Sequence, residues 1–220
     1  MHNNYELNKP TQLIDYPQTR YFSNESLPTI PEGPWDASNN TLPCTEEVRR
    51  FTDLGLKIDS LGRPLHPNLA EKLKHGVLAN KGFFWEWGPN YTVDPVVLAE
   101  NKTKILLVLR SDNHKWAFPG GFMNPNETVA VAAAREAKEE TTISLDIDEA
   151  KIIFKGILGD HRSTAHSWTE TTAVRWLLGT SVFVEGKDDA LAAAWFNVKQ
   201  LPKNMFEPHL PIIDVAVSAE

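Results

Sequence analysis

The reading of this chain turns on Gly120-Gly121-Phe122-Met123-Asn124-Pro125-Asn126-Glu127, followed by Arg135-Glu136-Ala137-Lys138-Glu139-Glu140. Gly120, Gly121 and Pro125 mark a tight loop. Val129 to Ala134 are good or tolerable helix formers, so the spacing predicts a helix over 127–141. On that helix Glu136 and Glu140 share one face, and Glu139 joins the same edge. Three carboxylates gathered this closely repel one another, and hard divalent cations such as Mg²⁺ or Mn²⁺, which prefer oxygen ligands, relieve the repulsion. Arg135 lies four residues before Glu139 and can pair with it, fixing a carboxylate's direction. A charged run usually decorates a solvated face. Here six fixed positions recur at set spacing, a match expected by chance in roughly one chain of this length in 10⁵.

Outward from that segment the pattern is α/β from about residue 76. Pro95–Ala99 is a short apolar run, and Lys104–Arg110 reads as a buried strand. Ile152–Leu158, Thr169–Leu178 and Ala193–Val198 read as further strands. Residues 209–218 read as a closing helix with Leu210, Ile213 and Val217 on one stripe. Residues 1–75 differ in texture: Pro, Asn and Ser dominate, as in Leu27–Pro34 and Gly62–Pro67, which predicts turns and extended chain. They are expected to form an irregular N-terminal arm or small lobe, anchored by Trp35, Phe51, Leu54, Leu56 and Ile58. Residues 76–220 are expected to form the catalytic domain.

Bulk properties narrow the function. The 220-residue chain is 41% apolar, carries seven Trp and has a formal net charge of −7. That charge argues against a general nucleic-acid binder. Cys44 is the single cysteine, so no internal disulfide or cysteine metal cluster is possible, which suits a cytoplasmic protein. No stretch reaches the roughly 20 apolar residues of a membrane span. The opening residues show neither a signal peptide nor a transit peptide pattern. A monomer or homodimer acting on a small molecule is expected.

The spacing resembles the Nudix box, G-x5-E-x7-R-E-U-x-E-E-x-G-U, where U is apolar. Gly121, Glu127, Arg135, Glu136, Glu139, Glu140 and Ile143 match. Ala137 is a weak apolar residue, and Thr142 stands where the pattern has its last glycine, which leaves the helix end in question. Trp87-Gly88-Pro89-Asn90, Asp94-Pro95, Trp116–Gly121, Lys155-Gly156, Asp160, Arg162, Trp168–Thr171 and Gly186–Ala190 resemble the ADP-ribose pyrophosphatases related to the human mitochondrial enzyme. The same branch includes the tail of the ADP-ribose-gated cation channel. The likeness covers about residues 60–217.

The resemblance implies the Nudix fold, an α/β (α+β) arrangement with a mixed sheet between helices and the box as loop-helix-loop. It implies metal-dependent hydrolysis of ADP-ribose to AMP and ribose 5-phosphate. Glu136 and Glu140 are the first-choice metal ligands, Glu139 shares or bridges, and a carbonyl of Gly120 or Gly121 completes the shell. Glu127 supports the loop. Glu170 is the candidate general base. Asp160, Asp188 and Asp189 are weaker candidates for that role, since Asp more often caps turns; Asp160 is also among the substrate contacts. Arg162 and Arg110 are candidates for gripping a phosphate, and Trp85, Trp87 or Trp168 for stacking adenine. His161 and His166 receive no ligand role. NADH, dinucleoside polyphosphates and nucleotide sugars stay open as substrates, as does a non-catalytic ADP-ribose-binding module.

Overall fold

The computed structural model describes Leu13–Ile14 and residues 41–74, 77–82, 84–160 and 162–219. Trp35, the Leu27–Pro34 run and His161 lie outside these residues. The strands are β1 (Leu13–Ile14), β2 (Val77–Leu78), β3 (Gly88–Ala99), β4 (Lys104–Arg110), β5 (Trp116–Ala117), β6 (Gly121–Phe122), β7 (Lys151–Ile157), β8 (Ser167–Leu178) and β9 (Ala190–Asn197). The helices are α1 (Thr45–Asp53), α2 (Leu69–Lys74), α3 (Val129–Thr141) and α4 (Leu210–Ser218). The chain divides into two units: the residues through Asn90 with Gly159–Thr169, and Tyr91–Leu158 with Glu170–Glu220.

β4 is the spine of the second unit. Its apolar run is buried on both faces: Ile105 and Leu107 join one core with Ile212, Ile213 and Ala216 of α4, while Leu106 joins another with Ala132, Ala133 and Ala137 of α3. Strict alternation sorts these neighbours to opposite faces of the sheet. β4 pairs antiparallel with β9 along its length, and with β3 and β5 on its other edge. The strand order is β5-β4-β3-β8-β7, with β6 added to β3 and β9 to β4. The sheet therefore lies between two helices. The three alanines of α3 let its backbone approach the sheet closely. That closeness brings the acidic edge of the helix beside β6.

The C-terminal carbonyls of α4 meet two cations. Buried Arg175 donates to the carbonyls of Ala216 and Ala219, and Lys102 to those of Val217 and Ala219. Positive charge at that end answers both the unpaired carbonyls and the helix dipole. The apolar stripe of α4 differs from expectation. Ile212, Ile213 and Ala216 are buried, while Leu210 is 38% exposed. Leu210 opens the helix directly after a short 3₁₀ turn, Glu207–His209.

Lys104–Arg110 forms as expected, and the other predicted elements are displaced by a few residues. The Pro95–Ala99 run is only the end of a 12-residue strand. α3 begins at Val129 because the Thr128 side chain accepts from the Val131 N–H and caps it. The largest difference lies in the segment expected to be irregular. Its described part contains α1 and α2. Phe51 is fully buried, but Leu54 and Ile58 are 50% and 40% exposed and anchor little.

Thr142 answers the question of the helix end. It sits in the left-handed region at φ 68, and its N–H donates to the Lys138 carbonyl at 3.0 Å. The turn that glycine usually makes is thus made by a β-branched residue, which costs roughly 1–2 kcal/mol in that conformation. Thr142→Gly is expected to stabilise the protein by about 1 kcal/mol, less than the full strain because glycine also loosens the unfolded chain. Thermal unfolding measures this, and a lowered Tm would contradict the strain argument.

Candidate active site

The site is a backbone strap laid against a helix. β6 pairs with β3 at Thr92↔Phe122 and Val93↔Gly121. A Cβ on Gly120 would stand 2.3 Å from the Val93 carbonyl oxygen, and one on Gly121 would stand 2.7 Å from Glu136 Oε1. At Gly120 only glycine permits the approach, since the obstacle is backbone and φ is +153; a side chain at Gly121 would displace the Glu136 carboxylate. The strap thereby comes within hydrogen-bonding reach of α3, where the Gly120 N–H donates to Glu140 Oε2 at 2.9 Å.

Arg135 organises the other carboxylates. Its Nε donates to Glu127 Oε1 at 2.7 Å and one terminal nitrogen to Glu127 Oε2 at 2.9 Å. The other terminal nitrogen donates to Glu136 Oε1 at 2.7 Å and Glu139 Oε2 at 2.9 Å. A fifth bond reaches the Phe122 carbonyl at 3.1 Å. One planar fork thus ties the loop, the strap and two acids of the helix. These bonds hold the Glu127 carboxyl down at about 2 and keep Arg135 firmly charged. Glu127 also accepts from the Asn124 N–H, so its carboxylate joins the loop to Arg135.

Glu136 and Glu140 are 9% and 6% exposed. Burial raises both carboxyls, and Glu140 is pushed up to about 9 by burial, a hydrogen bond with Asp189, and the charges of Asp189 and Glu136. Asp189 also raises Glu136. Asp189, a weaker base candidate on the sequence, lies in a turn that stands beside the box. The loop carrying it is docked on the end of α3: Lys187 N–H donates to the Glu140 carbonyl and Glu185 N–H to that of Thr141. Its closeness comes from long-range packing; the sequence signals were the acidic pair Asp188-Asp189, which lies in a turn, and its place in the Gly186–Ala190 stretch that carries the resemblance. Asp94, on β3, is a residue to which the sequence reading gave no role. It is 8% exposed, and its carboxylate accepts from the Thr171 hydroxyl.

Among the described residues no three Asp, Glu, His or Cys groups surround a single point closely enough to hold an ion as they lie. The guanidinium of Arg135 lies among Glu127, Glu136 and Glu139 instead. The chemistry of the donor set nevertheless fits a hard divalent cation. It is all oxygen, and it includes acids so crowded and desolvated that one resists ionising. Gly121 keeps open the space beside Glu136 that a side chain would fill.

The remaining candidates fall into different places. Glu170 is half-buried on β8, opposite Ile157. Val174 and Trp176 of the same strand pack into the α3 core, so alternation puts Glu170 on the face that carries the box. Arg110, in the same unit, forks onto Asp112 at 2.9 and 2.7 Å and lies over the Phe206 ring. Arg162 and Asp160, in the first unit, are bonded to each other at 2.7 Å. Each arginine already has an acid, so gripping a phosphate would mean exchanging or sharing it. Of the three rings expected to stack adenine, Trp87 and Trp168 are 2% and 0% exposed, with Trp168 edge-on to His66 at 5.0 Å. Neither offers a free face, and both are core residues of the first unit. Trp85 is 51% exposed. His166 is buried, and its Nδ1 lies 3.0 Å from the Pro64 carbonyl oxygen.

Known proteins are similar to this chain in sequence and fold. A Caenorhabditis elegans protein named as nudix hydrolase 6 is 30% identical over 168 residues, 70% of this chain and 62% of its own length. The mitochondrial ADP-ribose pyrophosphatase of Rattus norvegicus is 28% identical over 189 residues, 69% of this chain and 53% of its own. The chain thus spans about half to three-fifths of the length of these relatives. The crystal structure of a MutT/nudix family protein from Enterococcus faecalis superposes with a TM-score of 0.50 and 28% identity, covering 58% of this chain and 60% of that one. The NUDIX domain model matches residues 90–215, a span that holds the Gly120–Gly121 strap, the Arg135 fork and the Glu136–Glu140 turn, and the chain belongs to the Nudix family.

Proposed function

We propose that this protein hydrolyses the diphosphate of ADP-ribose to AMP and ribose 5-phosphate with Mg²⁺ or Mn²⁺. The observation that carries the reading is the buried pairing of Glu136 and Glu140 beneath the Gly120–Gly121 strap. Glu136, Glu139 and Glu140, with a carbonyl of Gly120 or Gly121, would hold the ion. When bound, it would offset the charge of the diphosphate oxygens and acidify the attacking water. Arg135 fixes two of the three carboxylates in direction. The Gly120 N–H fixes the third. Glu170 stands on the box face of the sheet, within the same unit, as the group to accept a proton from water. Arg110, in the unit that holds the box, remains a proposed phosphate contact; Arg162 and Asp160 stay proposed substrate contacts on the resemblance alone.

The rat relative named as an ADP-ribose pyrophosphatase supports the choice of substrate. Among the described residues no helix is long and apolar enough to cross a membrane. A cytoplasmic monomer or homodimer is the proposed form.

The test is product analysis on purified protein with ADP-ribose, NADH, dinucleoside polyphosphates and nucleotide sugars side by side. AMP and ribose 5-phosphate are expected from ADP-ribose, at a kcat/KM at least about tenfold above the rest, a 1.4 kcal/mol preference. Chelation is expected to stop turnover and added Mg²⁺ or Mn²⁺ to restore it. Turnover that survives chelation sinks the metal-dependent reading. Binding of ADP-ribose without AMP release would make the protein a non-catalytic module.

A further inference from the structure

His209 has no part in the chemistry above, yet it is 4% exposed and fully engaged. Its Nδ1 accepts the Phe118 N–H at 3.0 Å. That bond leaves the ring proton on Nε2, which faces Asp94 Oδ1 at 3.6 Å. The other Asp94 oxygen takes the hydroxyl of Thr171. The His209 ring stacks on Phe118, with centroids 4.5 Å apart and planes 12° from parallel. The segment leading to His209 runs beside the same strap: Trp116 N–H donates to the Asn204 carbonyl, and Phe206 N–H to that of Trp116. The start of α4, the strap after β5, β3 and β8 therefore meet at one imidazole and one carboxylate.

The grip is close to the box. Two residues past Phe118, the Gly120 N–H holds Glu140. Pro119 lies between them with its φ fixed. On the far side, a Cβ at Gly120 would stand 2.9 Å from Asp94 Oδ1, so Asp94 forms the wall behind this peptide. The strap is clamped at Phe118 by His209 and backed at Gly120 by Asp94.

We propose that His209 and Asp94 are positioning residues: together they hold Phe118–Gly121 so that the Gly120 amide sets the direction of the Glu140 carboxylate. Neither touches substrate. The effect on rate rests on the hydrolase reading, whereas the effect on the strap does not.

The experiment compares His209→Leu, His209→Asn and Asp94→Asn with the unaltered protein. Asparagine can still accept the Phe118 N–H; leucine cannot. Three quantities are measured: kcat and KM for ADP-ribose with Mg²⁺, Mn²⁺ binding by electron paramagnetic resonance, and hydrogen exchange at the Phe118 and Gly120 amides. His209→Leu is expected to lower kcat about 10- to 100-fold with little change in KM. It should weaken Mn²⁺ binding and speed exchange at both amides, and His209→Asn should recover most of each. Asp94→Asn should speed exchange at Gly120 more than at Phe118. Unchanged exchange and Mn²⁺ binding in His209→Leu would overturn the proposal. Equal impairment in His209→Asn and His209→Leu would do so too, since that marks simple packing. If His209→Leu does not fold, the asparagine variants decide by the same exchange measurement. If the unaltered protein releases no AMP, the hydrolase reading falls, while exchange and Mn²⁺ binding still decide the positioning.

Discussion

Glu140→Gln folds normally and loses turnover by roughly 10³-fold, about 4 kcal/mol of transition-state stabilisation, the scale of a lost metal-held charge. The reasons for the intact fold lie in the site. A glutamine Oε1 can still accept the Gly120 N–H that Glu140 takes at 2.9 Å. The change also removes a buried acid crowded by Asp189 and Glu136. Desolvating a charge among like charges is unfavourable, so the Tm should hold or rise while activity collapses. This opposition of signs separates a functional carboxylate from a structural one. A variant with near-normal kcat, or one that loses activity only because it unfolds, would remove Glu140 from the ligand set.

Arg135→Met is expected to damage both properties. Five hydrogen bonds leave this guanidinium, to Glu127, Glu136, Glu139 and the Phe122 carbonyl. Its loss strands Glu136, whose side chain is only 11% exposed, with no countercharge. Removing one member of a buried pair costs about 3–5 kcal/mol, and the lower end applies because Arg135 is 24% exposed. At about 2–4 °C per kcal/mol for a chain of this size, the Tm should fall by about 10 °C. Activity should fall at least about 10²-fold as the carboxylates lose direction. Arg135→Lys tests whether charge or geometry matters. A single ammonium cannot reach Glu127, Glu136 and Phe122 at once, so the lysine variant should regain part of the stability and little of the activity. Full activity in Arg135→Lys would show that the fork is dispensable.

The sequence spoke most clearly where function and local structure use the same spacing. A glycine pair, an arginine and three glutamates on helical turns could be read without coordinates, because a helix fixes which residues share a face. Lys104–Arg110 was legible for a related reason: a run apolar on both alternations has only the interior to occupy. Elements cut by ambiguous residues were harder. Pro95 looked like the start of β3 when it lies inside that strand, and Pro-rich texture hid α1, whose only fully buried anchor is Phe51. The aromatic candidates illustrate a different limit. Composition marks Trp87 and Trp168 as able to stack on a base, but burial depends on what the rest of the chain lays over them.

The sequence by itself determined the helix, its acid edge and the glycines that let a backbone approach it, because each follows from neighbours within a few residues. Only the tertiary structure decided that Asp189 faces Glu140, that Asp94 backs Gly120, and that His209 reaches Phe118 from 91 residues away. Such contacts depend on strand order and on where loops land. A residue's own type carries no record of the partner that the folded sheet brings beside it.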